Sequence, residues 1–97
     1  MSRISLIVWF EVKPECRALF LKAIGEHAKR TRTDDEGCVG FDVLVPQDPN
    51  DGRIYLYETY KNQAALDWHN EHGKIAAIRE AYKEWITGRG IHICSVA

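Results

Sequence analysis

An α+β fold, one antiparallel sheet with helices on a single face, is what this chain predicts, and three observations predict it. Four stretches read as strands by their apolar patterning, and two longer stretches carry the period of a helix. They follow one another as strand, helix, strand, strand, helix, strand, with turn residues between. At 97 residues the chain is read as one domain, residues 1–97, near the size where a single core is adequate but not generous.

Residues 3–12 place Ile4, Leu6, Val8, Phe10 and Val12 on one side of the first strand and Ile7 and Trp9 on the other. Pro14 suits a first helical position, and Glu15 favours the positive end of the helix dipole. The helix runs to about residue 33, apolar along Leu19, Phe20, Ala23, Ile24 and Ala28 and polar along Arg17, Lys22, Glu26, Lys29 and Arg30. Residues 34–37 break it. Residues 38–45 form a strand that enters the turn cluster 46–52, and residues 53–60 return as its hairpin partner. Asn62 is an N-cap for a helix through about residue 72. After Gly73, residues 74–87 carry Ile75, Ile78, Tyr82, Trp85 and Ile86 as a second helical piece closed by Gly88; residues 91–96 make the last strand.

This order is the ferredoxin-like βαββαβ arrangement. With the helices on one face, Ile7 and Trp9, or their neighbours of opposite parity, form a bare apolar surface. Packing two copies sheet to sheet would bury it, giving a dimeric α/β barrel.

Charge is nearly balanced, 13 Lys+Arg against 14 Asp+Glu, which argues against nucleic acid or an anionic membrane as the main partner. Cys16, Cys38 and Cys94 are an odd count with no CxxC pair, so neither a disulfide framework nor a zinc cage is indicated, and a reduced cytoplasmic setting fits. The apolar run at residues 4–12 contains Ser5 and Glu11 and is followed by no small-residue cleavage site; it reads as a strand.

The chemistry is concentrated in residues 41–69, where Asp42, Glu58, three tyrosines, Trp68 and His69 are threaded through apolar neighbours. Glu58 shares strand parity with Ile54, Leu56 and Tyr60, so its carboxyl either has a raised pKa or an ion-pair partner such as His27 or Arg79. Asp42 carries a similar ambiguity. His27 continues the stripe Phe20, Ala23, Ile24, and is either a base for work near neutral pH or a core-edge histidine bonded to a backbone carbonyl. His69 and His72, three apart beside Trp68, lack a third ligand and do not make HExxH, so no metal is expected. Trp9, Tyr55 and Tyr57 invite comparison with an RNA-stacking platform, but the basic, glycine-rich signature is missing from residues 53–60.

Val12-Lys13-Pro14, Glu36-Gly37-Cys38, Phe41-Asp42-Val43-Leu44, and Tyr57-Glu58-Thr59-Tyr60 followed by Ala64-Ala65-Leu66 and His69 together resemble the antibiotic biosynthesis monooxygenase (ABM) superfamily of small dimeric proteins. That resemblance implies a homodimer acting on a small molecule, with no metal, flavin or haem, that oxidises a quinol-like or hydroxylated aromatic substrate with dioxygen. It implies His27 as base, Glu58 as its orienting or proton-holding partner, and Phe41, Asp42, Tyr57, Tyr60, Trp68 and His69 as pocket residues. The same motifs resemble the branch that processes phosphorylated autoinducer-2, an isomerase reading that needs a phosphate clamp drawn from Arg53, Lys61, Arg79 and Arg89. A ligand-binding module without turnover is the third reading. Haem degradation is disfavoured, because the first strand has no asparagine.

Overall fold

The computed structural model describes residues 2–97. Strand β1 (Ile4–Val12) leads through a 3-10 turn at Pro14–Cys16 into helix α1 (Arg17–Asp34). Strands β2 (Cys38–Leu44) and β3 (Arg53–Tyr60) form a hairpin; helices α2 (Gln63–His72) and α3 (Ile75–Tyr82) follow, then β4 (Ile86–Ser95). The sheet order is β2-β3-β1-β4, antiparallel throughout. This is the ferredoxin-like arrangement.

Period-two alternation sorts the sheet into two faces. Leu6, Val8 and Phe10 of β1, Ile54 and Leu56 of β3, and Phe41 of β2 are buried beneath the helices. Opposing them are Phe20, Ile24 and Ala28 of α1, Leu66 of α2 and Tyr82 of α3. Phe10, Phe20 and Tyr82 form an aromatic cluster with ring centroids 5.0 to 5.9 Å apart, which joins three elements in one knot. A register shift between Cys38 and Gly40 resets the parity of β2, so that Phe41 pairs with Glu58 and turns inward.

The last helix is shorter than the sequence pattern implies, and the last strand longer. Trp85 and Ile86 continue the helical spacing of Ile78 and Tyr82, but tertiary contacts override it. The Trp85 carbonyl accepts from the Lys13 N–H at 2.8 Å, which draws the chain into the sheet, and Ile86 pairs with Val12. Gly88 therefore closes no helix; it lies in β4 opposite Glu11. Gly90 is required by close approach, because a Cβ there would collide with the Trp9 indole.

Candidate functional site

Five ionisable side chains converge on the covered face of the sheet. Strand alternation carries Glu58 inward between Leu56 and Tyr60, leaving it 5% exposed. The Tyr60 hydroxyl donates to Glu58 Oε1 at 2.7 Å. His69 comes from the buried side of α2, whose start is set by Asn62: its side-chain oxygen accepts from the Ala65 N–H. His69 Nε2 stands 3.9 Å from Glu58 Oε1, while Nδ1–H donates to Asp35 Oδ2. Asp35 caps the C-terminal end of α1, its N–H bonded to the Thr31 carbonyl, so the helix end itself delivers the carboxylate. Gly73 keeps this arrangement possible. A Cβ at that position would stand 2.5 Å from His69 Nδ1.

Burial pushes the Glu58 carboxyl up to about 7; the Tyr60 hydrogen bond opposes this and the Asp35 charge adds to it. The Tyr60 hydroxyl is also raised, by burial and then by Glu58. His27 completes the cluster from α1, its ring centroid 5.9 Å from that of His69 and 5.7 Å from that of Phe41. Burial, then the Arg30 guanidinium, then His69 lower its pKa to about 4. Arg30 also donates to His27 Nδ1 at 3.0 Å, so the neutral ring carries its proton on Nε2. Such an imidazole donates hydrogen bonds at neutral pH and is a weak base.

The covered face holds a cavity of about 70 Å³ lined by His27, Glu58, His69, Phe41 and the core residues Leu6, Val8, Phe10 and Leu56. Ile75, Ile78 and Arg79 of α3 and Arg89 and Ile91 of β4 flank its opening, with Asn70 beside them. The cavity is small and open to solvent at that opening, so a bound ring extends from it into the mouth. A larger groove of about 460 Å³ lies outside, along Lys61, Ala65 and Trp68. Volume favours the groove, but the buried, perturbed titratable groups line the cavity, and chemistry depends on them.

Of the residues expected at the site, His27, Glu58, Phe41 and His69 line the cavity, and Tyr60 is held against it by Glu58. Asp42 and Tyr57 do not. They are ladder partners on the opposite face of the sheet, where Tyr57 is 46% exposed. Trp68 is likewise turned outward, because a step of one residue along α2 from His69 rotates it by about 100° around the helix; it lies against His72 with ring centroids 4.9 Å apart. Asp35 was not anticipated. Its position in the helix-breaking stretch 34–37 reads as solvent-exposed, and a carboxylate at a helix end followed by an inward histidine on the next helix is the signal that was available. Of the four cations considered for a clamp, Arg79 and Arg89 reach the cavity, whereas Arg53 pairs with Glu11 and lies over Trp9 on the other face and Lys61 lines the outer groove. Burial, with Asp35 and Glu58, raises Cys38 to about 11, so it is a thiol. Among the described residues, no three His, Cys, Asp or Glu side chains are grouped to hold a metal ion, and no helix is long and apolar enough to cross a membrane.

Residues 3–85 match the family model described as antibiotic biosynthesis monooxygenase, and the chain belongs to that family. Among solved structures it is similar to a Nitrosomonas europaea protein named for the same family, at 24% identity and a TM-score of 0.87 over 98% of this chain and 90% of that one. A Caulobacter crescentus protein, also named for the family, is 20% identical with a TM-score of 0.91 over 99% and 91% of the two chains. A Bacteroides fragilis protein described as dimeric, of unknown function and with a ferredoxin-like fold, is 15% identical with a TM-score of 0.82 over 99% and 98%. No curated protein matches the chain.

Proposed function

We propose that this family member is a cofactor-independent monooxygenase of a quinol-like or hydroxylated aromatic small molecule. The observation that carries the reading is the buried series Asp35, His69, Glu58 at one end of an apolar cavity. In it, Asp35 holds His69 in the tautomer that leaves Nε2 free to take a phenolic proton, the division of labour of an acid-oriented imidazole base. Glu58, near neutrality, stores or returns that proton. His27, as an Nε2–H donor, stabilises the oxyanion that forms. The base is therefore His69, and the physical reason it is not His27 is the Arg30 bond and the lowered pKa.

The deprotonated ring passes one electron to dioxygen, and the resulting superoxide and phenoxyl radical join at a ring carbon. Loss of water then breaks the O–O bond: a phenol plus O2 becomes a quinone plus H2O. One oxygen atom stays on the ring, and the substrate supplies every electron.

The active form is a homodimer joined through the open sheet face, as supported by the apolar residues there and by the dimeric Bacteroides fragilis relative. A cytoplasmic setting accords with three free cysteines.

Oxygen uptake with a panel of quinols and hydroxylated naphthalenes tests the activity. His69→Asn keeps an N–H for Asp35 but removes Nε2, and should lower turnover about a hundredfold or more with the fold intact. His27→Phe should cost less than that. No uptake across the panel sinks the reading, and unchanged turnover in His69→Asn removes that residue from it.

A further inference from the structure

Resting on the reading of this cavity as the substrate site, we infer that the substrate carries an oxyanion group, a carboxylate or a phosphate ester, held by Arg79 and Arg89. The two residues stand on opposite walls of the cavity mouth. Arg89 is the ladder partner of Phe10, the ring of Tyr82 lies 5.1 Å from that of Phe10, and Arg79 precedes Tyr82 by one helical turn. Both residues thus belong to the same end of the cavity lining, one from α3 and one from β4.

Neither has a hydrogen-bonding or carboxylate partner among the described residues; Arg3 and Arg17 have none either, but they line no part of this cavity, and the other arginines are engaged. Arg30 is committed to His27, Arg32 to the Phe41 carbonyl at 2.6 Å, and Arg53 to Glu11. An anion held between two unpartnered cations compensates both charges at once. The planar guanidinium fork matches carboxylate and phosphate oxygens in pairs. Between the arginines and Glu58 the wall is apolar, formed by Ile78 and Ile91 with Val8 and Leu56 beneath. An anion at the mouth therefore lays a hydrophobic body along this wall and directs its far edge at His69 and Glu58. Much of the orientation then comes from the anion.

The test measures binding under anaerobic conditions, so that it succeeds or fails independently of oxygen consumption. Calorimetric titration compares 2,5-dihydroxybenzoate with 2,5-dihydroxybenzamide, and 4-hydroxyphenyl phosphate with hydroquinone. In the unmodified protein, at least one anion should bind tenfold or more tightly than its neutral counterpart. The larger preference identifies carboxylate or phosphate. Arg79→Gln with Arg89→Gln should reduce the preference to less than threefold and leave the neutral compounds unaffected, with the melting temperature confirming the fold. Equal binding of acid and neutral partner in the unmodified protein, or a preference that survives in the double variant, overturns the inference.

Discussion

The two faces of the sheet receive similar residue types from the same strands and use them differently. On β3, Tyr55 and Tyr57 point to the open face, while Leu56, Glu58 and Tyr60 point beneath the helices. On the covered face the buried polar atoms are paired: Tyr60 with Glu58, His69 with Asp35, Arg30 with His27. On the open face the paired charges are surface groups, Glu11 and Arg53 at 3.1 Å, with Arg53 over Trp9 at 4.3 Å. Removal from water makes the difference. Burial holds the Glu58 carboxyl up to about 7, and the same alternation that makes a sheet thereby separates the proposed reactive surface from the proposed dimer face.

The largest effect is expected from breaking the adhesive face alone. Ile7 is 43% exposed at its centre, opposite Tyr57, so Ile7→Glu disturbs few contacts within a protomer. It should convert the proposed dimer to monomer in light scattering, with the protomer still folded. Trp9 is a poorer site for this test, because Arg53 stacks on it and Gly90 closes against it. A monomeric unmodified protein at micromolar concentration would refute the dimer.

The next effect sharpens the covered face. Glu58 retains its proton in the fold between pH 4.5 and about 7, where the unfolded chain has lost it, so this group's contribution to stability falls as pH rises through that window. The displacement corresponds to about 3 kcal/mol. His27 has the opposite sign. The unfolded chain binds its proton between about 4 and 6.5 while the fold does not, so stability rises with pH there. In the unmodified protein the two slopes oppose each other. Chemical denaturation across pH should expose them separately: relative to the unmodified protein, Glu58→Gln gains stability between pH 4.5 and 7, and His27→Phe loses the rising limb. Parallel pH profiles for all three proteins would show that neither group is shifted.

How much of this was legible depends on the range of the cause. The inward position of Glu58 follows from counting by twos along residues 54–60, a local pattern that the fold preserves. The inward position of His69 and the outward one of Trp68 follow from the helical period, yet sharing an aromatic-rich segment is not sharing a face, and Trp68 was expected in the pocket on the weaker ground. Asp35 is a different matter. Its burial exists only because α2 returns to lay His69 against the end of α1, a contact 34 residues distant that no window of sequence contains. The Arg30 bond to His27 was equally out of reach, since Arg30 one turn later reads as a solvated charge until its guanidinium is seen on Nδ1.

The smallest effect tests the separation itself. Asp42 and Tyr57 are neighbours across β2 and β3 on the open face, with the sheet between them and Glu58. If the two faces are chemically independent, Tyr57→Phe and Asp42→Asn, which preserve shape and remove the ionisable group, should each leave turnover within about twofold in protein that remains dimeric. Both should also leave the pH dependence of activity unchanged, because the groups that set it are on the other side of the backbone. A tenfold loss in either variant, in protein that remains dimeric and folded, would mean that the open face reaches the reaction. The separation would then have to be abandoned in favour of a site shared between both faces.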